Sequence, residues 1–126
     1  TEWNKLCRGN LDRMVTDTRQ LLIQGMSLAG KTFAAAKLAM GWAVNELDQF
    51  VVHQVSKVHT QTMIKKFGID PKKVMTIFGE HGNIGPASVP IVLSKLKQAG
   101  RLKKGDRIAL LGIGSGLNCT MSEVVW

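Results

Sequence analysis

Three short segments of the chain carry the side chains and turns that could do chemistry. The first contains His53, the second is a glycine-rich loop that contains Asn83, and the third is the glycine-rich run 112–116. An imidazole exchanges protons near neutral pH, a carboxamide donates hydrogen bonds, and a glycine-rich turn can aim backbone N–H groups at an oxyanion. Taken singly, a histidine at a strand end is often structural and an asparagine before a helix is often a cap. The three segments therefore predict a reactive site if the fold brings them together.

The glycine-rich run and the three histidines also allow a dinucleotide site or a metal site. A G-x-G sequence after a strand begins the Rossmann fingerprint. Here Leu117 stands in the place of the third glycine, and only ten residues follow Gly116, so the required helix and acidic residue have no room. The spacing of His53, His59 and His81 matches no recognised metal-ligand pattern. A turn that binds an oxyanion fits the glycines better than either alternative.

The hydrophobic pattern predicts the elements that must position these segments. Apolar residues at three- and four-residue intervals predict a long helix from about Leu11 to Met40, in which Gly25 and Gly30 indicate a close approach by another element. Strands are predicted at 47–53, at 74–78, at 107–113 and from the last glycine-rich turn to residue 126. Two further helices are predicted at 55–67 and 87–99. Glycines at 41, 68 and 100 end the three helices.

This order of elements predicts an α/β fold. Alternating strands and helices form a mostly parallel sheet covered by helices, and the segments that follow its strands lie at one edge, where ligand clefts form. No predicted strand precedes the first helix, so we expect additional structure upstream of Thr1.

The size and composition limit the classes of protein. A chain of 126 residues with 44% hydrophobic residues predicts one folded domain or half of a larger one. The longest apolar runs are too short to cross a bilayer, and the N-terminal residues do not match a secretory signal. Cys7 and Cys119 belong to no disulfide or metal-ligand pattern, which indicates reduced thiols and a cytoplasmic location.

The chain is strongly basic. A formal net charge of +8 predicts attraction to nucleic acid, anionic lipid, coenzyme phosphates or an acidic protein. Proteins that bind nucleic acid tend to interleave basic and aromatic residues, whereas this chain has no Tyr and keeps its few aromatic residues away from the lysine clusters. The positions of the aromatic residues therefore weaken the case for nucleic acid, and the charge alone does not choose among the other three kinds of partner.

Four motifs resemble, in order and spacing, the C-terminal half of 3-oxoacyl-(acyl carrier protein) synthase III, and the resemblance covers about the last 80 residues. They are HQVS at 53–56, FG at 67–68, HGNIGPASVP at 81–90 and GDRIALLGIGSG at 105–116. Within the wider group, HQV with GIGSGLNC at 112–119 looks most like the branch that joins two long fatty acyl-CoA chains head to head in bacterial olefin biosynthesis.

The resemblance implies a thiolase-like αβα layered half with a mixed, mostly parallel sheet, the second of two similar halves in a homodimeric enzyme. A cysteine on the first half would take an acyl group, and a Claisen condensation would join it to a second thioester. The substrates would be acyl-CoA or acyl carrier protein thioesters, with no metal or other cofactor. By position, His53 and Asn83 are the second-half members of the Cys-His-Asn set, where a neutral imidazole N–H and a carboxamide would serve as donors. Neither Cys7 nor Cys119 matches the nucleophile, so we expect this chain alone to be inactive.

The resemblance also assigns the turn and several lysines. The backbone of Gly114, Ser115 and Gly116 would help to stabilise the oxyanion, with Ser115 in place of a glycine common in the family. Lys57, Lys65 and Lys66 are predicted contacts for the carrier protein or CoA, although an ordinary solvated helix face explains these lysines equally well. Residue 58 is Val where the family has a helix arginine, which favours a substrate carried by CoA. A basic module that binds acyl-CoA or an acidic carrier protein without catalysis remains the alternative function.

Overall fold

The computed structural model describes residues 17–114 and 116–126 and contains helices on both faces of a sheet. In chain order the longer elements are α1 (Thr18–Met40), β1 (Gln49–Val52), α2 (Lys57–Phe67), α3 (Phe78–His81), α4 (Ser88–Gln98), β2 (Arg107–Gly114) and β3 (Asn118–Val125). Three 3₁₀ turns lie between them, at Val44–Glu46, Pro71–Lys73 and Gly85–Ala87. The predicted α/β class is confirmed.

The sheet has the strand order β1-β2-β3 and is mixed. Strands β1 and β2 are parallel, with Val52 opposite Leu111, and β2 and β3 are antiparallel, with Ile113 opposite Cys119. Residues that alternate along β1 go to opposite faces of the sheet, since Phe50 and Val52 join a core under α1 and α2 while Val51 joins a core under α4. Both faces of the sheet are covered, which explains why β2 is a nearly continuous run of apolar residues in the sequence.

The strand predicted at 74–78 does not form. Val74 makes one isolated parallel bridge to β1, and α3 begins at Phe78. The cause is Gln54, whose fully buried carboxamide donates from Nε2 to the Met75 carbonyl oxygen at 2.7 Å. Its Oε1 accepts from the Ile77 backbone N–H at 2.8 Å. A side chain thus takes the hydrogen bonds that a neighbouring strand would have made, and the sheet gains no further strand here.

The C-terminal ends of the first two helices follow the predicted glycine signals, whereas their N-caps, Asp17 and Ser56, were not predicted. Helix α1 is capped by the Asp17 side chain and ends at Gly41 in the left-handed conformation, with φ of 62°. Helix α2 is capped by the Ser56 side chain and ends at Gly68, with φ of 65°. The part of the first predicted helix at 11–16 lies outside the described residues.

Helix α1 packs closely against the sheet and α2. A Cβ built on Gly25 would lie 3.4 Å from Ile113 Cδ1, so the predicted close approach is found at this position. Further along the helix, the Phe33 ring stacks on the Phe67 ring of α2 with 4.3 Å between centroids. In the part of the chain that the structure describes, no helix is long and apolar enough to cross a membrane.

An ion pair joins the antiparallel strands at the end of the sheet far from the glycine-rich turn. Arg107 Nε and the Glu123 carboxylate lie 2.6 Å apart, and the Trp42 indole donates to the same carboxylate at 2.7 Å. The Arg107 guanidinium first, and the indole to a smaller degree, lower the pKa of Glu123 against the opposing effect of burial.

Replacing Glu123 with Gln is expected to remove part of the acid sensitivity of folding. Since the folded state lowers the pKa of Glu123, its stabilising contribution is present above the unfolded pKa, about 4.3, and is lost as the pH falls through the lower folded pKa. Denaturant titrations between neutral and strongly acidic pH should show a shallower decline in unfolding free energy for Glu123→Gln than for wild type. Equal slopes below about pH 4.3 would contradict this role.

Candidate active site

His53 follows β1 directly and is held by both its backbone and its ring. The backbone N–H donates to the Leu111 carbonyl oxygen at 2.8 Å, which continues the parallel ladder by one residue. On the half-buried ring, Nδ1 lies 3.1 Å from the Gly85 carbonyl oxygen and 2.9 Å from Ser88 Oγ. The first turn of α4 and the segment before it therefore fix the imidazole.

The contact with Gly85 assigns the tautomer of His53. A carbonyl oxygen accepts hydrogen bonds and cannot donate them, so Nδ1 carries a proton where it faces Gly85. Burial lowers the pKa of His53, and the hydrogen bond to Gly85 opposes that effect in part. A neutral ring with its proton on Nδ1 leaves Nε2 as a proton acceptor. The predicted donor role of His53 towards a substrate requires a proton on Nε2, which a ring in this tautomer must first gain, and that role stays a prediction.

Asn83 lies in the loop between α3 and α4. Its Oδ1 accepts from the Gly85 backbone N–H at 3.1 Å, two residues further on, and the side chain is otherwise exposed. Asn83 does not cap α4, since the N-cap position belongs to Ala87. With its oxygen engaged, the carboxamide offers Nδ2 as a donor, as the predicted role of Asn83 requires.

The glycine-rich turn begins where β2 ends. Gly114 is the last residue of β2, and Gly116 has φ of 133°, a conformation that favours glycine. Ser115, to which the sequence assigns part of the oxyanion turn, lies outside the described residues.

His53, Asn83 and Gly114 line one cavity of about 350 Å³, so the structure brings the three predicted segments together. Gly85 and Pro86, from the segment after Asn83, line the same cavity. Most of the remaining wall is apolar and is formed by Leu21, Leu22, Gly25, Met26, Ala29, Val55, Met63, Ile113 and Leu117. The arrangement suits a ligand with a polar reacting group and a long apolar tail.

Two polar residues in this cavity were missed as site residues by the sequence interpretation. His59 and Thr60 of α2 both line it, and His59 Nδ1 lies 2.9 Å from Ser56 Oγ. His59 lies six residues after His53, in the helix that follows β1. From the sequence it was interpreted only as a candidate metal ligand. Within the described residues, no group of three His, Cys, Asp or Glu side chains could hold a metal ion.

The predicted lysine contacts lie outside the cavity lining. Lys57 and Lys65 are exposed on α2. Lys66 Nζ donates to the Met26 carbonyl oxygen at 2.9 Å, and its side chain lies against Gly30, so this lysine joins α2 to α1.

Cys119 also lies away from the cavity lining. It is half-buried in β3, and burial raises the pKa of its thiol, which disfavours the reactive thiolate. Cys7 lies outside the described residues.

Comparison with known proteins gives a consistent set of relatives. A family model described as 3-oxoacyl-[acyl-carrier-protein] synthase III, C terminal, matches residues 38–126. An acyl-CoA:acyl-CoA alkyltransferase of Xanthomonas campestris is 82% identical over 126 residues, which is all of this chain and 37% of that protein.

Two solved structures are similar in both sequence and fold. A 3-oxoacyl-(acyl carrier protein) synthase III from Xanthomonas oryzae has a TM-score of 0.88 and 81% identity, covering 99% of this chain and 37% of that one. A cysteine-to-serine variant of Xanthomonas campestris OleA, described with bound lauric acid and lauroyl-CoA, has a TM-score of 0.88 and 82% identity, covering 100% of this chain and 37% of that one. The chain thus spans little more than a third of the length of these relatives.

Proposed function

Because the chain belongs to the 3-oxoacyl-[acyl-carrier-protein] synthase III family, as its motifs indicated, we propose that it supplies the histidine and asparagine of a condensing enzyme. The reaction is a Claisen condensation of two acyl thioesters in the biosynthesis of fatty acids or of hydrocarbons derived from them. The observation that carries the proposal is that His53, Asn83 and Gly114 line one largely apolar cavity.

The acylation step needs a cysteine, which we infer lies in a preceding half of the protein. Neutral His53 accepts the thiol proton at Nε2, and the thiolate attacks the carbonyl carbon of the first acyl-CoA. The new bond joins sulfur to the acyl carbon, and CoA leaves as a thiolate that regains the proton from Nε2. Asn83 Nδ2 and the backbone of the glycine-rich turn donate to the oxyanion, at the distances of about 2.7–3.1 Å that such stabilisation requires.

The condensation step uses the same groups. His53 Nε2 takes a proton from the α-carbon of the second acyl thioester, and Asn83 donates to the enolate oxygen. The α-carbon attacks the acyl-enzyme carbonyl, and the protonated Nε2 donates to the oxyanion that forms there. Collapse forms the 3-oxoacyl thioester and expels the cysteine thiolate, which regains its proton from His53. The lowered pKa of His53 favours the neutral ring that both steps begin from.

We propose acyl-CoA as the donor of the acyl groups. The X. campestris relative is named for acyl-CoA, and the OleA structure is described with lauroyl-CoA. Val58 stands where the family has an arginine, and Lys66 is engaged with Met26, so two of the expected contacts for an acidic carrier protein are weakened. The whole protein is proposed to be a homodimer in the cytoplasm that works on thioesters without a metal or other cofactor.

A chimaera tests the function directly. In it this chain replaces the matching 126 residues of the X. campestris alkyltransferase. With lauroyl-CoA we expect release of CoA, acylation of one cysteine seen by intact-protein mass spectrometry, and a 3-oxo product formed from two lauroyl groups. The isolated chain is the control and should release no CoA. A chimaera that neither becomes acylated nor condenses would refute the proposal.

The net charge of +8 supports one second candidate, a basic module that binds acyl-CoA without catalysis. Calorimetry of lauroyl-CoA with the isolated chain tests it. Tight binding that is unchanged in both His53→Ala and Asn83→Ala, together with an inactive chimaera, would favour the module over the enzyme.

Enlarging Gly25 is expected to shorten the acyl chains that the chimaera accepts. Gly25 lines the cavity wall, and a Cβ there already lies 3.4 Å from Ile113 Cδ1, so the rest of a leucine side chain must extend into the cavity. Gly25→Leu should lower kcat/KM for lauroyl-CoA by about tenfold or more while octanoyl-CoA loses less, as pocket discrimination between chain lengths allows. Gly30→Ala, which only displaces the flexible end of Lys66, is the control. Equal losses for both substrates would show that the cavity wall does not set chain length.

A further inference from the structure

We infer that Ser88 is a positioning residue for His53, because its buried hydroxyl accepts the Nδ1 proton and holds the ring with Nε2 available to substrate. The inference rests on the proposed function of His53. Ser88 is the first residue of α4, is fully buried, and does not belong to the cavity lining. It therefore acts on the reaction through His53 and not by contact with the substrate.

The hydrogen count within the cluster defines the direction of each bond. Ser88 has one hydroxyl proton, and it donates this proton to the Gly85 carbonyl oxygen at 3.0 Å. Its remaining lone pairs face His53 Nδ1 at 2.9 Å, so Nδ1 donates to Oγ. The reverse direction would place an unprotonated Nδ1 against the Gly85 carbonyl oxygen at 3.1 Å, with no proton between two acceptors. One arrangement alone satisfies all three atoms.

Ser88 Oγ, the second acceptor for the Nδ1 proton, orients the ring in a way that the Gly85 carbonyl oxygen alone cannot. Two acceptors on Nδ1 define the plane of the imidazole as well as its tautomer, and an acceptor on a ring N–H makes the ring a better base. Ser88 also ties the ring to α4, the helix that follows the Asn83 loop. His53 and Asn83 are therefore held relative to each other by neighbouring parts of one segment.

The test compares Ser88→Ala with Ser88→Thr in the chimaera. Ser88→Ala should lower kcat by between about tenfold and a hundredfold, the usual loss when a partner that orients a functional imidazole is removed, with KM little changed. Ser88→Thr keeps the hydroxyl and should recover most of the activity. Ser94→Ala, on the exposed side of the same helix, controls for the loss of a serine hydroxyl.

The pH profile separates positioning from simple stability. Removing an acceptor from Nδ1 destabilises the imidazolium, so the acidic limb of kcat should move to lower pH in Ser88→Ala. His59 is the other titratable side chain among the described residues that line the cavity, and a His59→Gln profile shows to which histidine the limb belongs. Unchanged kcat and an unchanged limb in Ser88→Ala, with His53→Ala inactive, would overturn the inference and leave the proposed function standing.

A spectroscopic measurement that needs no enzyme turnover tests the inference when Ser88→Ala does not fold or the chimaera is inactive. Two-dimensional ¹H–¹⁵N spectra of the wild-type chimaera with ¹⁵N-labelled histidine report which ring nitrogen of His53 is protonated. We expect the proton on Nδ1. Finding it on Nε2 would overturn the inference even if Ser88→Ala fails to fold or the chimaera lacks activity, whereas lost activity with the proton on Nδ1 would count against the proposed function alone.

Discussion

In the chimaera, His53→Ala is expected to lower kcat/KM for the condensation of lauroyl-CoA by about a hundredfold or more, the loss typical of removing one group that stabilises an oxyanion. The loss should be larger than for Asn83→Ala, since His53 is proposed to move a proton in both steps while Asn83 only donates hydrogen bonds. The burst of CoA release in the first turnover measures acylation, and the rate of formation of the 3-oxo product measures condensation.

The reason for this large effect lies in the environment of the ring. Burial lowers the pKa of His53, so the neutral form is present at neutral pH, and the contacts at Nδ1 leave Nε2 as the proton acceptor. Alanine removes both functions and leaves no side chain in the described cavity lining that is fixed in the same way. His59, the second histidine of the cavity, lies in the first turn of α2 and is bonded to Ser56 instead.

His81→Ala is the matched control for this variant. His81 is exposed at the end of α3, lies 3.7 Å from Glu80, and does not belong to the cavity lining. Its loss should leave kcat/KM unchanged. Unaltered turnover in His53→Ala, with thermal unfolding like that of wild type, would exclude His53 from the chemistry. The binding module would then be the favoured function.

The sequence predicted which segments lie together better than it predicted the strands of the sheet. Convergence of His53 and Gly114 follows from a general property of α/β folds, since the ends of parallel strands lie at one edge, whereas Asn83 reaches the same cavity from a loop after α3. Helix ends at Gly41 and Gly68 follow from local backbone preferences. Both kinds of signal depend on a few neighbouring residues, so they can be recognised in a single sequence.

The features that were missed depend on long-range contacts. The run 74–78 has the composition of a strand, but the Gln54 side chain takes its hydrogen bonds from more than 20 residues away. The tautomer of His53 likewise depends on the Gly85 carbonyl, 32 residues along the chain. Neither contact can be predicted from residue types and spacing, because each is determined by packing once the sheet has formed.

Replacing Gln54 with leucine is expected to cause the largest loss of stability among these variants. The carboxamide makes hydrogen bonds to Met75, Ile77 and Phe78, and the residue is fully buried. An apolar side chain of similar size leaves these backbone groups without partners, at about 1–3 kcal/mol for the buried Ile77 N–H and less for the part-buried groups of Met75 and Phe78. The sum is a large part of the 5–15 kcal/mol that is typical of a folded domain. Calorimetry of the chimaera should show a much lower melting temperature, whereas Gln98→Leu, at an exposed site in α4, should change it little.

Gln54→Glu separates hydrogen bonding from packing at the same site. A glutamate keeps an acceptor for the Ile77 N–H, but when ionised it places an oxygen against the Met75 carbonyl in place of the Nε2 donor. Burial raises the pKa of such a carboxyl, so the protonated form, which can donate to Met75, is favoured in the folded state. Relative to wild type, the stability of Gln54→Glu should therefore be greatest below about pH 4.3, the ordinary Glu value, and fall as the pH rises through the folded-state pKa. A melting temperature of Gln54→Glu with the same pH dependence as that of wild type would mean that the Met75 contact contributes nothing, and that packing and the bond to the Ile77 N–H hold this segment.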